Sequence, residues 1–247
     1  MNTLRAAWKL ARASWHALVG LLTIVLLFPR LSLEQRQLRT QVWSLQMLKC
    51  LGIELVLRGQ PASSGPMLLV ANHISWLDIT SLHAARYCRF VSKADIRKWP
   101  VIGTLAAGVG TLFIERESRR DAMRVVHHMT ESLRAGDVLA VFPEGTTSDG
   151  LSVLPFHANL LQAAIAAQAP VQPVAMRFID QATGHISTAP CYINDDTLLV
   201  SIWRTLRAPG IAVVITFGEP QAAEGKTRRD WAHALKINIE NLLALPD

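Results

Sequence analysis

Residues 67–78 read Met-Leu-Leu-Val-Ala-Asn-His-Ile-Ser-Trp-Leu-Asp and contain the transition from strand to helix on which the fold prediction depends. The apolar, β-rich run 67–71 predicts a buried strand. The polar residues directly after it are ones that a hydrophobic core does not need. In layered α/β proteins, binding and catalytic residues gather where strands end and helices begin. Asn72, His73 and Asp78 are therefore candidate functional residues.

Similar apolar runs recur along the chain and alternate with helical patterns. The clearest helix is predicted over 119–134, where apolar residues share one face and Gly136 follows the end. The other predicted strands span residues 53–57, 89–92, 111–114, 138–142, 171–178 and 211–217. This alternation predicts an α/β layered domain with a largely parallel or mixed sheet flanked by helices.

Charge is distributed unevenly along the 247 residues, whose net charge is +6. Residues 1–58 hold eight Lys and Arg against two acidic residues, whereas residues 59–247 hold 17 of each kind. The first quarter also contains the most apolar run, residues 17–28. An apolar and basic segment of this kind favours an anionic membrane surface.

Pro29 follows the apolar run and is predicted to end its helix, and residues 34–51 carry apolar residues at helical spacing. We therefore predict an N-terminal pair of membrane-anchoring helices hinged at Pro29 over residues 1–52, followed by one domain over 53–247. The run is short for a membrane span, so the sequence favours a helix pair embedded in one leaflet, with a single span as the alternative. An ordinary hairpin of core helices is a further alternative. No small-residue cleavage site follows the run, which disfavours a secretory signal peptide.

Composition excludes several classes of protein. With 50% hydrophobic and 18% charged residues, the chain is neither disordered nor fibrous. The three cysteines, Cys50, Cys88 and Cys191, have no metal-ligand spacing and indicate neither a zinc site nor a disulfide framework. No P-loop or dinucleotide-binding glycine pattern is present. We expect no metal, no cofactor and no nucleic-acid partner.

The spacing of His73 and Asp78 allows the two side chains to meet across the turn between strand and helix. The carboxylate would then accept a hydrogen bond from one ring nitrogen and leave the other free as a base, which is the base and its orienting group in a catalytic triad. No Ser or Cys lies in a G-x-S-x-G turn, so the nucleophile would belong to the substrate, such as the hydroxyl of an acyl acceptor. The spacing alone also fits a partly buried histidine beside a helix cap.

Three further blocks strengthen the functional prediction. With residues 72–78, the blocks at 110–116, 142–146 and 171–174 have the order and approximate spacing of the four motifs of glycerolipid acyltransferases. From about residue 53 to residue 220 the chain resembles the 1-acylglycerol-3-phosphate acyltransferase (lysophosphatidate acyltransferase) family. Its hydrophobic N-terminus is similar to the membrane-anchoring helix pair of that family.

The resemblance implies a membrane-bound O-acyltransferase that moves a fatty acyl group from an acyl thioester to the free hydroxyl of a lysolipid. His73 would be the general base, and Asp78 would orient its ring. Arg116 would be the phosphate partner, because a guanidinium presents paired donors. The 171–174 strand would line an acyl channel. The residues implied for acceptor binding are Asn72, Arg116, Glu144, Gly145 and Thr146.

The resemblance also implies the substrates and partners. The expected acceptor is 1-acylglycerol-3-phosphate, which would give phosphatidic acid, and the donor would be acyl-coenzyme A or acyl-acyl-carrier protein as co-substrate. An anionic membrane surface and acyl carrier protein are the expected partners. In a bacterium the enzyme would lie at the cytoplasmic face of the inner membrane.

Two positions depart from the family pattern. Thr147 occupies a position where the family commonly has Arg, and His157 lies where the family has the Lys of Phe-Lys-x-Gly. A cation that can contact phosphate is thus missing at both positions, which raises the case for lyso-ornithine lipid as acceptor. A hydrolase that uses water as acceptor is a further alternative, which the membrane-directed N-terminus and the acceptor-type blocks disfavour. A non-catalytic membrane-binding scaffold is another, which the intact His73 and Asp78 disfavour.

Overall fold

A computed structural model describes residues 2–114, 119–193 and 195–245. Its eight α-helices are α1 (Asn2–Leu22), α2 (Leu33–Leu51), α3 (Leu77–Ala85), α4 (Ile102–Gly108), α5 (Arg119–Arg134), α6 (Leu161–Ala167), α7 (Leu198–Arg207) and α8 (Arg228–Leu243) in these described ranges. The strands of the same ranges are β1 (Ile53–Arg58), β2 (Met67–Ala71), β3 (Arg89–Lys93), β4 (Leu112–Ile114), β5 (Val138–Val141), β6 (Val171–Asp180) and β7 (Ile211–Phe217).

The strands form one sheet with the order β1-β7-β6-β2-β5-β3-β4. All neighbouring pairs are parallel except β6 and β7, which are antiparallel. The predicted α/β fold with a mixed sheet flanked by helices is therefore confirmed. Strand β2 lies at the centre between β6 and β5, so its carboxyl end meets those of neighbours on the same edge.

Helices cover both faces of the sheet, which explains why the central strands are apolar without interruption. In β2, Leu69 and Ala71 pack on the face that carries α2 and α3, while Leu68 and Val70 pack on the face that carries α5, α6 and α8. Successive side chains of a strand point to opposite faces, so a strand buried on both sides needs apolar residues at every position. All five residues of β2 are buried.

The N-terminal helix is longer than the apolar run that predicted it. Helix α1 continues through a π-helical turn, Thr23–Leu27, and a 3₁₀ turn, Phe28–Arg30. The resulting segment, Thr3–Arg30, has 28 residues and is long and apolar enough to cross a membrane by length and composition. The chain turns only at Leu31 and Ser32, and Ser32 forms a capping box with Gln35 at the start of α2.

The predicted break of the helix at Pro29 is confirmed, because α-helical and π-helical hydrogen bonding ends at Leu27 and the 3₁₀ turn that contains Pro29 ends one residue later, at Arg30. Proline lacks an N–H and its ring crowds the preceding turn. Here Pro29 lies at the start of the 3₁₀ turn, after the helix has changed to π-helical geometry. Such turns are among the usual sites where a helix changes its hydrogen bonding or direction.

Helices α1 and α2 are joined by reciprocal contacts between His16 and Trp43. His16 Nε2 lies 2.9 Å from the Trp43 carbonyl oxygen, Trp43 Nε1 donates to the His16 carbonyl at 3.1 Å, and the two rings stack. Gly20 is required beside them, because a Cβ there would lie 2.4 Å from Trp43 Nε1. The crossing of the two helices is therefore closely packed.

One face of the helix pair belongs to the core of the domain, and the other is exposed. Ala6 and Ala13 of α1 are buried in the same apolar cluster as Leu48 of α2 and the inner face of the sheet. By contrast, Trp8 and Trp15 are 67% and 68% exposed. Further exposed apolar residues of this segment are Leu4, Leu18, Val19, Leu22, Val25, Leu26 and Leu27.

Candidate active site

His73 and Asp78 are in direct contact at the carboxyl end of β2. His73 Nδ1 lies 2.8 Å from Asp78 Oδ2, and the same oxygen accepts the backbone N–H groups of Ile74 at 2.7 Å and Ser75 at 2.9 Å. Asp78 lies in the first turn of α3, where the helix dipole favours a carboxylate. Its side chain is fully buried, whereas that of His73 is 19% exposed. The geometry leaves Nε2 of His73 as the nitrogen available to a substrate.

An aromatic column fixes the plane of the His73 ring. Phe142, which follows β5, stacks on His73 with ring centroids 4.0 Å apart and an interplanar angle of 9°. Phe90 of β3 stacks in turn on Phe142 at 5.6 Å. The imidazole is therefore held by a hydrogen bond at one nitrogen and by packing on its face.

Glu144 connects the two loops that follow β2 and β5. Its carboxylate accepts the backbone N–H of His73 at 2.6 Å and that of Leu154 at 2.8 Å. Burial raises the pKa of Glu144 above its ordinary value, and the two backbone hydrogen bonds partly oppose this rise. The described contacts of this carboxylate thus lie within the protein, beside the loop that carries His73.

Asn72 makes a similar internal link on the other side of β2. Its side-chain oxygen accepts the N–H of Met176 at 2.8 Å, and its side-chain nitrogen donates to the Met176 carbonyl at 2.9 Å. This reciprocal pair joins the end of β2 to β6 in place of further ladder hydrogen bonds. Asn72 is buried, so it fixes the start of the loop that carries His73.

Gly145, Thr146 and Thr147 lie beside His73 and line the same cavity. Gly145 has φ +72°, and a Cβ there would lie 2.9 Å from a ring carbon of His157. The Thr147 hydroxyl donates to the Tyr192 carbonyl. Both positions that depart from the family pattern therefore lie close to residues 145–147. The Thr147 hydroxyl is bonded to the backbone of Tyr192, and the His157 ring lies against Gly145.

Arg116 lies outside the described residues, because the structure does not describe residues 115–118. Its predicted role as phosphate partner stays a prediction. A different cation lies in the wall of the cavity. Lys93, at the end of β3, lines the cavity near the carboxyl edge of the sheet.

A large apolar cavity extends from His73 into the space between the sheet and the N-terminal helices. Its volume is about 650 Å³. His73, Thr146 and Tyr192 line it, as do Phe28, just before the turn between α1 and α2, and Thr40 of α2. Other lining residues are Ala13, Ala17, Gly20, Ile24, Trp43, Met47, Trp76, Ile79, Trp99, Ile102, Leu105 and Ala106.

Residues 171–174 form a core strand, as predicted, but they do not line this cavity. Val171 and Val174 are fully buried in the two core clusters, and the described lining of the cavity contains neither. The cavity wall comes mainly from α1, α2, α3 and α4, with further residues from β3, the 142–147 segment and α7. A signal for this was present in the sequence, because Ala13, Ala17 and Gly20 are small residues at helical spacing in an otherwise bulky apolar segment.

Among the described residues, Cys191 is the thiol that lies near the loop of His73. It is buried, its Sγ donates to the Asp149 carbonyl at 3.3 Å, and burial raises its pKa to about 11. A protonated, enclosed thiol is a poor nucleophile. Among the described residues, no group of three His, Cys, Asp or Glu side chains has the arrangement of a metal site. The site therefore offers a histidine base and an apolar cavity.

Comparisons with known proteins agree with this geometry. A family model described as Acyltransferase matches residues 49–177. The chain is 39% identical to a 1-acyl-sn-glycerol-3-phosphate acyltransferase of Neisseria gonorrhoeae over 193 residues, which is 77% of this chain and 72% of that protein. It is also 39% identical to a lyso-ornithine lipid O-acyltransferase of Pseudomonas aeruginosa over 197 residues, which is 80% of this chain and 75% of the relative.

A solved structure shares the fold. The crystal structure of the 1-acyl-sn-glycerophosphate (LPA) acyltransferase PlsC from Thermotoga maritima matches 100% of this chain and 98% of its own, with a TM-score of 0.71 and 23% identity. At 23% identity the match shows that the two proteins share the same fold.

Proposed function

Because the chain belongs to the 1-acylglycerol-3-phosphate acyltransferase family and is an acyltransferase, we propose that it transfers a fatty acyl group from an acyl thioester to the hydroxyl of a lysolipid, with His73 as general base. The observation that carries this proposal is the contact of His73 with the buried Asp78 at one end of a large apolar cavity. A base and a space for a hydrocarbon chain thus meet at one point.

The reaction follows from this geometry. Nε2 of His73 takes the proton of the acceptor hydroxyl while the oxygen attacks the thioester carbonyl carbon. The new C–O bond forms, the C–S bond breaks, and the imidazolium returns the proton to the departing thiolate. Asp78 stabilises the imidazolium and holds Nδ1 as the bonded nitrogen, as the carboxylate does in a triad. A positioned general base contributes typically about 10² to 10⁴ in rate.

Asn72 and Glu144 support this chemistry through the backbone. Both side chains hold the loop that carries His73, one from β6 and the other from the loop after β5. We expect Gly145 and Thr146, which line the cavity beside His73, to approach the acceptor more closely.

The acceptor is proposed to be a lysophosphatidate, with Arg116 and Lys93 as partners of its phosphate. The names of the two similar proteins give two different lysolipid acceptors. Both acceptors are lysolipids, and they differ in the headgroup. Thr147 favours lyso-ornithine lipid as the second candidate, because its hydroxyl is engaged by Tyr192 and supplies no charge to a phosphate.

The N-terminal helices are proposed to lie in one leaflet of an anionic membrane. Helix α1 packs along the domain through Ala6 and Ala13, and its opposite face is exposed and apolar. A helix fixed side-on in this way suits insertion in the plane of the interface. If the source is bacterial, we place the enzyme at the cytoplasmic face of the inner membrane, where acyl-coenzyme A or acyl-acyl-carrier protein would be the donor.

A thiol-release assay tests the proposal. Purified protein in detergent is mixed with acyl-coenzyme A or acyl-acyl-carrier protein, alone and with lysophosphatidate, lyso-ornithine lipid or lysophosphatidylethanolamine. We expect thiol release that depends on the lysolipid and yields the diacyl product. Release without acceptor would indicate a hydrolase, and no release with any donor and acceptor would indicate a non-catalytic scaffold.

A further inference from the structure

A short segment outside the matched acyltransferase region lies against the catalytic loop. This 189–193 segment follows the region 49–177 that the family model covers. Tyr192 N–H donates to the Ile74 carbonyl at 3.1 Å, and the Ser75 hydroxyl donates to the Pro190 carbonyl at 2.6 Å. The segment is therefore bonded to the two residues that follow His73.

The same segment is bonded to the loop that follows β5. The Thr147 hydroxyl donates to the Tyr192 carbonyl, and Cys191 Sγ donates to the Asp149 carbonyl at 3.3 Å. The 189–193 segment thus joins the two loops that carry His73 and Gly145. No side chain of this segment acts on substrate in the proposed mechanism.

Helix α7 holds the 189–193 segment from its other side. Arg204 donates through Nε to the Ala189 carbonyl at 3.0 Å and through Nη2 to the Cys191 carbonyl. Arg204 Nη2 also pairs with Asp196 at 2.8 Å, which fixes the guanidinium plane. Ser201 adds a hydrogen bond to the Cys191 carbonyl at 3.2 Å. One arginine therefore fixes two carbonyls of the segment on either side of Pro190.

These contacts lead to the catalytic pair in a continuous series. The N–H groups of Ile74 and Ser75 donate to Asp78 Oδ2, the oxygen that also contacts His73 Nδ1. The positions of residues 74 and 75 therefore determine where this carboxylate oxygen lies. Pro190 and Tyr192 fix those two residues, and Arg204 fixes the backbone around them.

We propose that Arg204 is a positioning residue for acyl transfer, which acts through the 189–193 segment on the orientation of Asp78 and His73. The proposal rests on the proposed function. The guanidinium is suited to this task because its planar set of donors can hold two carbonyls and a carboxylate in one geometry. A small displacement of a catalytic base lowers the rate strongly even when substrate still binds.

The first experiment compares Arg204→Gln with Arg207→Gln. Arg207 lies one turn further along α7 and is exposed, so it is a matched control for loss of charge on this helix. We expect Arg204→Gln to lower kcat roughly tenfold to a hundredfold while the KM for the acyl donor stays within about twofold. Arg207→Gln should keep the wild-type kcat, and Arg204→Lys should recover part of the loss.

A spectroscopic measurement separates positioning from a general loss of structure. In protein labelled with ¹⁵N-histidine, the Nδ1 proton of His73 is identified by its absence in His73→Ala. Arg204→Gln should shift or broaden this resonance, and Arg207→Gln should leave it unchanged. A fall in kcat with an unchanged His73 resonance, or a changed resonance with wild-type kcat, would overturn the proposal.

A second variant covers the case in which Arg204→Gln does not fold. Ser75→Ala removes the hydrogen bond to Pro190 from the loop side and should give the same combination of lower kcat and altered His73 resonance. Wild-type kcat and resonance in this variant would contradict the proposal. The His73 resonance can be measured without turnover, so it tests the positioning role independently of activity. Absence of acceptor-dependent activity in the wild type would therefore refute the proposed function separately.

Discussion

At the scale of single residues, the contact between His73 and Asp78 gives the most direct prediction. His73→Ala should lower kcat by about 10² to 10⁴, because it removes the general base. Asp78→Asn should also be severely impaired, since the carboxamide can present its NH₂ to the ring and favour the wrong tautomer. Thiol release measures both. His185→Ala, at an exposed position, is the control, and near wild-type turnover of His73→Ala would exclude this residue as the base.

Thr147 tests the headgroup of the acceptor. If the acceptor is a lysophosphatidate, Thr147→Arg should raise kcat/KM for that acceptor roughly tenfold relative to Thr147→Val, since charge-assisted hydrogen bonds contribute about 1.5–3 kcal/mol. Thr147→Val is the necessary reference, because both variants lose the hydrogen bond to Tyr192. Kinetics with lysophosphatidate and lyso-ornithine lipid decide the outcome. An equal response with both acceptors would show that no phosphate lies near this position.

His83 gives a prediction about pH and stability. Its ring is buried between Tyr87 and Phe90, and burial lowers its pKa to about 4 from an ordinary value of 6.5. Between pH 4 and pH 6.5, His83 therefore carries a proton in the unfolded chain but not in the folded chain. The contribution of His83 to the free energy of unfolding is therefore fully present above about pH 6.5 and is lost as the pH falls toward 4. At about 1.36 kcal/mol per pKa unit this amounts to about 3 kcal/mol.

Replacing His83 should flatten this dependence. His83→Leu should show a smaller loss of stability between pH 7 and pH 4.5 than the wild type in denaturant titrations in detergent. His185→Leu, at an exposed position, should follow the wild type. If His83→Leu and the wild type lost equal stability over this range, protonation of His83 would not be a cause of acid unfolding.

Single residues also show where sequence interpretation reaches its limit. The contact of His73 with Asp78 was predictable because both lie on one local turn. The sequence also indicated Asn72 and Glu144 as candidate residues, yet their described bonds go to the backbones of Met176 and His73. A polar side chain at a strand end can hold a loop or contact a ligand, and sequence does not distinguish these uses. Lys93 and the 189–193 segment belong to no motif, and only the fold brings them close to His73.

At the scale of elements, the exposed face of α1 provides a test of membrane binding. Replacing Trp8 and Trp15 together by Ser should reduce flotation with anionic liposomes, because both residues are exposed and amphipathic aromatic side chains favour the interface. Deletion of residues 1–52 is a less specific test, since it also removes Leu48 and Leu51 from the core. Ser substitutions at the exposed Met123 and Leu151 serve as the control. Unchanged flotation of the double Trp variant would locate the membrane contact elsewhere.

The elements themselves were largely predictable, and the exceptions have physical causes. Strand β2 and helix α5 have their predicted bounds, because an uninterrupted apolar run and a helical apolar face are strong local signals. Strand β6 extends to Asp180, two residues past its predicted end, where pairing with β7 sustains it. The α1 segment extends beyond its apolar run, since the more polar residues before that run are also helical.

At the scale of the whole molecule, the cavity makes a prediction about chain length. Ala106 of α4 lines the cavity, so Ala106→Phe should reduce the space for the acyl chain. We expect kcat/KM for the longest accepted donor to fall at least about tenfold, while a shorter donor is used as before. A series of acyl-coenzyme A donors measures this. Thr104→Phe, on an exposed position of the same helix, is the control, and parallel losses with all donors would argue that the chain lies elsewhere.

The global arrangement was the part that sequence could predict least. Alternating strands and helices predicted the fold class, but the central position of β2 and the antiparallel pairing of β6 with β7 depend on contacts between distant residues. The same is true of the cavity. Its walls combine α1 with α4, which are about eighty residues apart along the chain. The two meet where Ile24, in the π-helical turn that continues α1, packs on Gly108.

The wall that α1 forms is one helix thick. Ala13 and Ala17 line the cavity on one side of this helix, while Trp15 and Leu18 are exposed on the other. A product that left through water would lose about 0.8 kcal/mol for each CH₂ it exposed, or on the order of 8 kcal/mol for ten of them. Exit past α1 into surrounding hydrocarbon would avoid that loss. Product departure would then be governed by the fluidity of the lipid around one helix.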